Sequence, residues 1–382
     1  MFMFTDRVSK RLAGIVSMLI ISASAYISLN NPFYDTDMLF YTGIYYEYKN
    51  NVPEELHRLV YSEIWQPLDS NSRVFLSEKP LEIKAKQSPD YFIQQLPFYK
   101  IKPGYNFLIR LLTDYLEVKP TLAIQYINIT AYVLTALIIF MWLYPYMPAV
   151  YLFICTTCIC TLPLFIFTSR MFTPDMPSVL LIMLGSLCYC MPKQNLSLAF
   201  SAFLLALLFR PDNLLLIILL GASHFYFQRH NLKTIITFNI IALAIYICIG
   251  YFYKAYGWKI TFQHSAIDLS VAPKDWEMIP LHPYDYILAL LRGVFTYKMS
   301  LMFTVFASVV LYRIAVIDAM ISRTAWKAMI VSQISLTGLK FLLFPVFDDR
   351  YYLSSVLIGL IALCVHVFKT PQLHQKELAD NS

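Results

Sequence analysis

Charge is what this sequence has least of: Asp, Glu, Lys and Arg make up 14% of its 382 residues, against 58% hydrophobic ones. With a mean hydropathy of +0.56, that scarcity excludes an ordinary soluble globule and implies a polytopic membrane protein. No Lys/Arg-rich tract interleaved with aromatics occurs, which sets nucleic acid aside as a partner. The seven cysteines all lie in apolar runs. Cys155, Cys158 and Cys160 have metal-like spacing, but no His or carboxylate accompanies them, so they read as packing residues and imply no disulfide framework. No convincing internal repeat is visible and few charges fall inside the apolar runs, which argues against a transporter or lipid flippase, the main alternative class.

What is abundant is aromatic: 28 Tyr, 28 Phe and 5 Trp suit membrane-interface belts and a site for a lipid or sugar. Apolar windows of spanning length, roughly 17 to 25 residues, lie at 12–29, 120–142, 148–168, 174–191, 234–253, 297–313, 328–346 and 351–368. Two shorter ones, 195–209 and 212–228, flank Arg210-Pro211-Asp212, a triplet costly at mid-bilayer that reads as a turn between short spans. The pattern predicts a single all-α domain over 1–382 with about ten transmembrane helices. Its first run reads as an uncleaved signal anchor preceded by Arg7, Lys10 and Arg11.

With a cytoplasmic N-terminus, the inside connections carry Arg7, Lys10, Arg11, Lys193, Arg229, Lys233, Arg313, Arg323, Lys327, Lys369 and Lys376, as the positive-inside rule requires. The same alternation puts loop 30–119, turns 169–173, 210–212 and 347–350, and loop 254–283 outside. Loop 30–119 is too long for a mere connection. Near its end, Leu108, Leu111, Leu112, Tyr115 and Leu116 share one helical face, with Arg110 and Asp114 at i, i+4 on the other, which predicts an amphipathic helix on the membrane surface. In the second loop, Trp276 is available to stack on a sugar, while His264 and His282 read as structural. Asn128-Ile129-Thr130 and Asn195-Leu196-Ser197 match the glycosylation pattern but fall in or beside spans, and are chance matches.

The stretch Asn31 to Tyr46, NPFYDTDMLFYTGIYY, puts Asp35 and Asp37 just outside the first span. Either can cap a helix starting near Met38; as a pair they can deprotonate an acceptor or hold a divalent cation, Mg or Mn, near a phosphate. Asp35, closer to the membrane exit, reads as the base, and Asp37 as the cap. The short outer turns, where basic residues ought to be scarce, each carry an arginine: Arg170 in SRMFTPD, Arg210 in RPDN and Arg350 in FDDRYY. A guanidinium kept on the disfavoured side suggests a local anion, and its fork suits phosphate. Asp175 and Asp212 follow prolines and read equally as first-turn acids of helices, and Arg350 has Asp348 and Asp349 beside it.

An apolar first span, an acidic pair after it, a long outer loop with surface helices, Arg170 followed by Pro174-Asp175, Arg210-Pro211-Asp212 and a late Asp349-Arg350-Tyr351-Tyr352 together resemble the GT-C superfamily of membrane glycosyltransferases, in the flavour of the bacterial protein mannosyltransferase and aminoarabinose transferase relatives. The chain departs from that family in having fewer spans than many members. The resemblance implies an enzyme of the bacterial inner membrane, with its site on the periplasmic or extracellular face. It would move a sugar from a polyprenyl-phosphate donor to a glycan, lipid or protein acceptor. It further implies an aspartate base, Asp35 or Asp37, a donor phosphate held by Arg170, Arg210 and Arg350, and support from Asp175, Asp212, Asp349 and Tyr351. A non-catalytic subunit of the same architecture is the remaining alternative.

Overall fold

A computed structural model describes residues 2–49, 52–65, 68, 73, 80–191, 194–228, 230–314 and 324–380. Lys193, Arg229 and Arg323 of the charge alternation lie outside the described residues, as does most of 66–79. Regular structure among the described residues is helical, apart from one isolated parallel bridge between Phe33 and Met171. The N-terminal part comprises α1 (Phe2–Asn30), α2 (Thr36–Glu47), α3 (Pro53–Trp65), α4 (Pro80–Gln87), α5 (Pro89–Gln95), α6 (Pro97–Lys100) and α7 (Pro103–Leu116). The middle comprises α8 (Pro120–Leu143), α9 (Ala149–Cys160), α10 (Pro163–Arg170), α11 (Asp175–Cys190), α12 (Leu196–Phe209), α13 (Leu214–Phe227) and α14 (Leu232–Phe252). The remainder comprises α15 (Trp258–Phe262), α16 (Pro273–Met278), α17 (Pro283–Thr296), α18 (Lys298–Tyr312), α19 (Thr324–Leu343) and α20 (Leu353–Asp380). Many of these open on proline, whose fixed φ suits the first helical position and whose missing N–H costs nothing there.

Four segments are long and apolar enough to cross a membrane: Arg7–Asn30, Pro120–Leu143, Leu232–Phe252 and Asp349–Phe368. Two bent pairs, α9 with α10 (49°) and α17 with α18 (82°), bring the number to six. The described residues thus hold four to six candidate spans by length and composition, as in a polytopic membrane protein; the finer expectation of about ten crossings is not shown. Two of the expected windows form helices shorter than a span. At 1.5 Å per residue, the 14 residues of α12 and of α13 reach only about 21 Å, short of a hydrocarbon core of about 30 Å. Arg210-Pro211-Asp212 does form a turn, a 3-10 segment between those two helices.

The chain packs in two layers with separate hydrophobic cores. One joins α1, α8 to α14, α19 and α20 around Tyr132, Trp142, Phe165, Phe203 and Trp326. The other joins α2 to α7 around Phe40, Tyr41, Phe92, Leu96 and Tyr105, and reaches Ile124, Ile127 and Phe172 at the ends of the first. Helices in lipid gain nothing from hiding apolar surface and depend on close fit. Gly185 of α11 supplies such a fit, since a Cβ there would lie 2.6 Å from the Phe203 ring and 2.9 Å from the Ala199 carbonyl of α12.

The helix expected near 104–118 is α7, with the Arg110–Asp114 pair at 3.5 Å; of its expected apolar face Tyr115 and Leu116 are exposed, as is Phe107, while Leu108 and Leu112 pack against the second core. Of the two glycosylation matches, Asn128 is fully buried and Asn195 caps α12. In the second loop, Trp276 and His264 are buried, the histidine stacked on Phe98 at 5.0 Å. Trp276 therefore packs in the loop and does not present a face for sugar stacking.

This packing has two measurable consequences. Gly185→Val is expected to destabilise the detergent-solubilised protein by about 1–3 kcal/mol, read as a lower melting temperature, whereas the same change at Gly250, where a Cβ meets nothing within 4 Å, leaves it near wild type. In a background with the native cysteines replaced, Tyr115→Cys and Met278→Cys should react with an impermeant maleimide from one side of the membrane, and His230→Cys from the other.

Candidate active site

The chain leaves α1 at Asn30 and runs beside the end of α10. The Phe33 amide donates to the Arg170 carbonyl at 2.9 Å, the Arg170 Nε donates to the Asn31 carbonyl at 2.5 Å, and Tyr34 stacks on Phe172 with centroids 5.5 Å apart. Arg170 thus clamps the segment that carries the acidic pair, and stands apart from the charges around Arg210 and Arg350.

Asp35 is extended and caps α2, its Oδ1 accepting from the Met38 amide at 3.2 Å. Its Oδ2 is buried, makes no hydrogen bond and lies 4.0 Å from Arg350 Nη1. Asp37, in the first turn, accepts from the Tyr99 hydroxyl at 2.9 Å and from Arg350 Nη1 at 3.2 Å. The capping assignment read from the sequence is therefore reversed: Asp35 is the cap, because the side chain preceding the first helical residue is the one that reaches back over the free N–H groups. Asp35 nevertheless keeps one uncommitted oxygen, whereas both oxygens of Asp37 are engaged.

Arg350 arrives from the 3-10 turn Asp349–Tyr352. Its Nε lies 2.7 Å from Asp348 Oδ2 and 3.8 Å from Asp175 Oδ2. Arg210, at the end of α12, grips Asp212 with Nε at 3.0 Å and Nη2 at 3.2 Å, and its Nη1 donates to Asp175. Tyr351 presents its ring to both guanidinium groups, at 4.4 Å from Arg210 and 5.1 Å from Arg350. Of the residues read from the sequence, Asp35, Asp37, Asp175, Arg210, Asp212, Arg350 and Tyr351 come together. Arg170 does not, and Asp349 is exposed while its neighbour Asp348 makes the ion pair.

Sequence reading passed over Lys340, Lys102 and Tyr99. Lys340 Nζ lies 2.8 Å from Asp212 Oδ2; a lysine inside an apolar run was the available signal. Lys102 precedes α7 and lies over the Tyr99 ring at 4.7 Å and the Tyr41 ring at 5.3 Å. Nothing in its local sequence sets it apart from other loop lysines.

Burial pushes the Asp35 carboxyl up to about 8; the charge of Asp37 adds to the rise, and Arg350 and the amides of Met38 and Phe172 oppose it. Burial also lowers the Lys102 ammonium to about 8 and raises the Tyr41 and Tyr99 phenols well above their ordinary range, so both stay protonated. Among Asp175, Arg210, Lys340 and Arg350 lies a cavity of only about 10 Å³, room for about one water. A phosphate does not fit between these paired arginines as they stand.

Mg or Mn does not fit the acidic pair either. Among the described residues no three His, Cys, Asp or Glu side chains gather as ligands, and Arg350 Nη1 occupies the ground between Asp35 and Asp37.

The raised Asp35 carboxyl makes stability depend on pH. Below about 4 the group is protonated whether the chain is folded or unfolded. Above that, the unfolded carboxyl ionises while the folded one holds its proton, so the contribution present at low pH is lost progressively until the folded group ionises near 8. Asp35→Asn keeps a cap acceptor and removes this loss. Its melting temperature is expected to exceed that of wild type at about pH 8.5, with the gap closing toward about pH 4.

No family model, curated protein or solved structure matches this chain.

Proposed function

We propose that this chain is a membrane glycosyltransferase that moves a sugar from a polyprenyl-phosphate donor to an acceptor hydroxyl or amine at the outer face of a bacterial plasma membrane. The observation that carries this reading is Asp35 Oδ2, held 4.0 Å from Arg350 Nη1. It is a buried carboxylate oxygen with no hydrogen bond, set where the outer layer meets the membrane layer and ringed by charges from separate elements.

General-base catalysis works best when the pKa lies near the operating pH, and burial brings Asp35 to about 8. In the reaction, Asp35 Oδ2 takes the proton of the acceptor as the acceptor oxygen or nitrogen bonds to the anomeric carbon. The bond from that carbon to the phosphate oxygen breaks, and its electron pair leaves with the lipid phosphate. Attack opposite the leaving group inverts the anomeric centre. Asp37 is the positioning residue: bonded to the Tyr99 hydroxyl and Arg350, it holds the guanidinium against the region where negative charge develops. Arg210 supports the same frame through Asp175 and Tyr351. Arg170, engaged with the 31–33 segment, has a structural part.

Protein reconstituted in lipid nanodiscs with radiolabelled polyprenyl-phosphate sugars and membrane glycolipids as acceptors provides the test. Transfer should occur, rise about tenfold per pH unit up to about pH 8, and fall by about 10²–10⁴ in Asp35→Asn. A folded Asp35→Asn protein as active as wild type overturns the base assignment. Solute movement into liposomes without any label transfer overturns the enzyme reading.

A further inference from the structure

Between the first long loop and the second lies a cavity of about 390 Å³, far larger than the space of about 10 Å³ among the paired arginines. Lys84, Gln87, Ser88 and Tyr91, from α4 to α5, line one wall, and Ser270 and Asp275 with the chain between them line the other. None of its lining residues belongs to the charge cluster around Asp35 and Arg350. Small ligands are taken by pockets from about 300 Å³ upward.

Three side-chain hydrogen bonds hold the two walls together. The Lys84 Nζ donates to the Ser270 carbonyl at 2.7 Å, the Tyr91 hydroxyl to the Leu269 carbonyl at 2.8 Å, and the Tyr256 hydroxyl to the Gln94 carbonyl at 3.0 Å. Each joins positions 162 to 186 residues apart and ends on backbone, so the cavity is built before any ligand arrives, which lowers the cost of binding.

The same segments bury more polarity than they satisfy. Among the described residues, Gln94 Oε1, Gln95 Nε2, Gln263 Oε1, His264 Nδ1 and Trp276 Nε1 are buried and make no hydrogen bond. His264 and Trp276 are each 5% exposed. Burial lowers the His264 imidazole to about 4, with the Val271 backbone and Asp268 opposing, so the ring is neutral near pH 7. Folded interiors rarely leave such groups unpaired, and here they lie on the segments that flank an open space. Their chemistry is mixed: the indole N–H only donates and the amide oxygens only accept. Charge is mixed as well, since Lys84 shares the walls with Asp275, and neither an anion nor a metal ion is favoured.

We propose that this cavity binds a neutral saccharide, a single sugar or a short glycan. Each sugar hydroxyl both donates and accepts, which meets a wall carrying donors and acceptors without an excess of charge, and Tyr91, its own hydroxyl committed, adds ring surface. A free saccharide and the headgroup of a glycolipid share this chemistry. The inference goes beyond the transfer reading and does not rest on it.

Protein in lipid nanodiscs is screened on an array of neutral and acidic oligosaccharides, with empty nanodiscs as the control and no polyprenyl-phosphate donor present. At least one neutral glycan should retain the protein. The tightest binder is then titrated by calorimetry, both free and as the headgroup of a glycolipid in the nanodisc. Gln87→Trp, which fills the cavity from an exposed position, and the double variant Gln87→Ala with Asp275→Ala should each weaken binding at least about tenfold. Lys274→Ala, at an exposed lysine outside the cavity, should leave it unchanged. If Gln87→Trp does not fold, the double variant decides. Tighter binding of the glycolipid assigns the site to a headgroup, and equal binding assigns it to free saccharide; both support the proposal. Retention by no neutral glycan, retention by acidic glycans alone, or undiminished binding in the folded variants overturns it. Asp35→Asn should bind the saccharide as wild type does. Saccharide binding without any sugar transfer overturns the enzyme reading and leaves this site standing.

Discussion

The guanidinium of Arg350 is the contact on which the site depends. It joins Asp37, 313 positions earlier in the chain, to Asp348 on its own turn and approaches Asp35 and Asp175. One side chain thereby ties the segment after α1, the start of α11 and the approach to α20. Charges this far from bulk water persist only when paired and hydrogen-bonded. The aspartates around Arg350 and Arg210 are therefore as much a requirement of the arginines as the reverse. Removing either guanidinium would leave several buried carboxylates facing one another.

The two cores meet these charges from different solvents. The membrane layer holds together by close fit, as at Gly185 against Phe203, because lipid gives helices no hydrophobic reason to associate. The second layer, from α2 to α7, has its own aromatic core. Polar groups at the seam can be dry without being inside the bilayer. That is the setting in which a carboxyl such as Asp35 is raised to about 8 and an ammonium such as Lys102 is lowered to about 8: burial pushes each group toward its neutral form.

Division of labour between the two aspartates follows from hydrogen bonding alone. Asp37 spends both oxygens on Tyr99 and Arg350 and becomes part of the frame. Asp35 spends one on the α2 amide and retains the other. A cap that fixes a carboxylate through one oxygen also aims its second, so the role of cap and the role of base are compatible in one residue.

Much of this was legible from residue chemistry: the membrane class from the scarcity of charge, the acidic pair from its place after the first span, and Arg210, Arg350, Asp175, Asp212 and Tyr351 from charges kept in short turns. Such signals survive in sequence because a charge beside an apolar run is conspicuous wherever the chain goes. Tertiary structure decided the rest. It reversed which aspartate caps α2, chose Asp348 over Asp349, drew Arg170 away to the 31–33 segment, and brought in Lys340 and Lys102. The reason is physical: composition and spacing determine which groups must find partners, but a partner is chosen by direction and distance across elements, and these exist only once the two layers have packed.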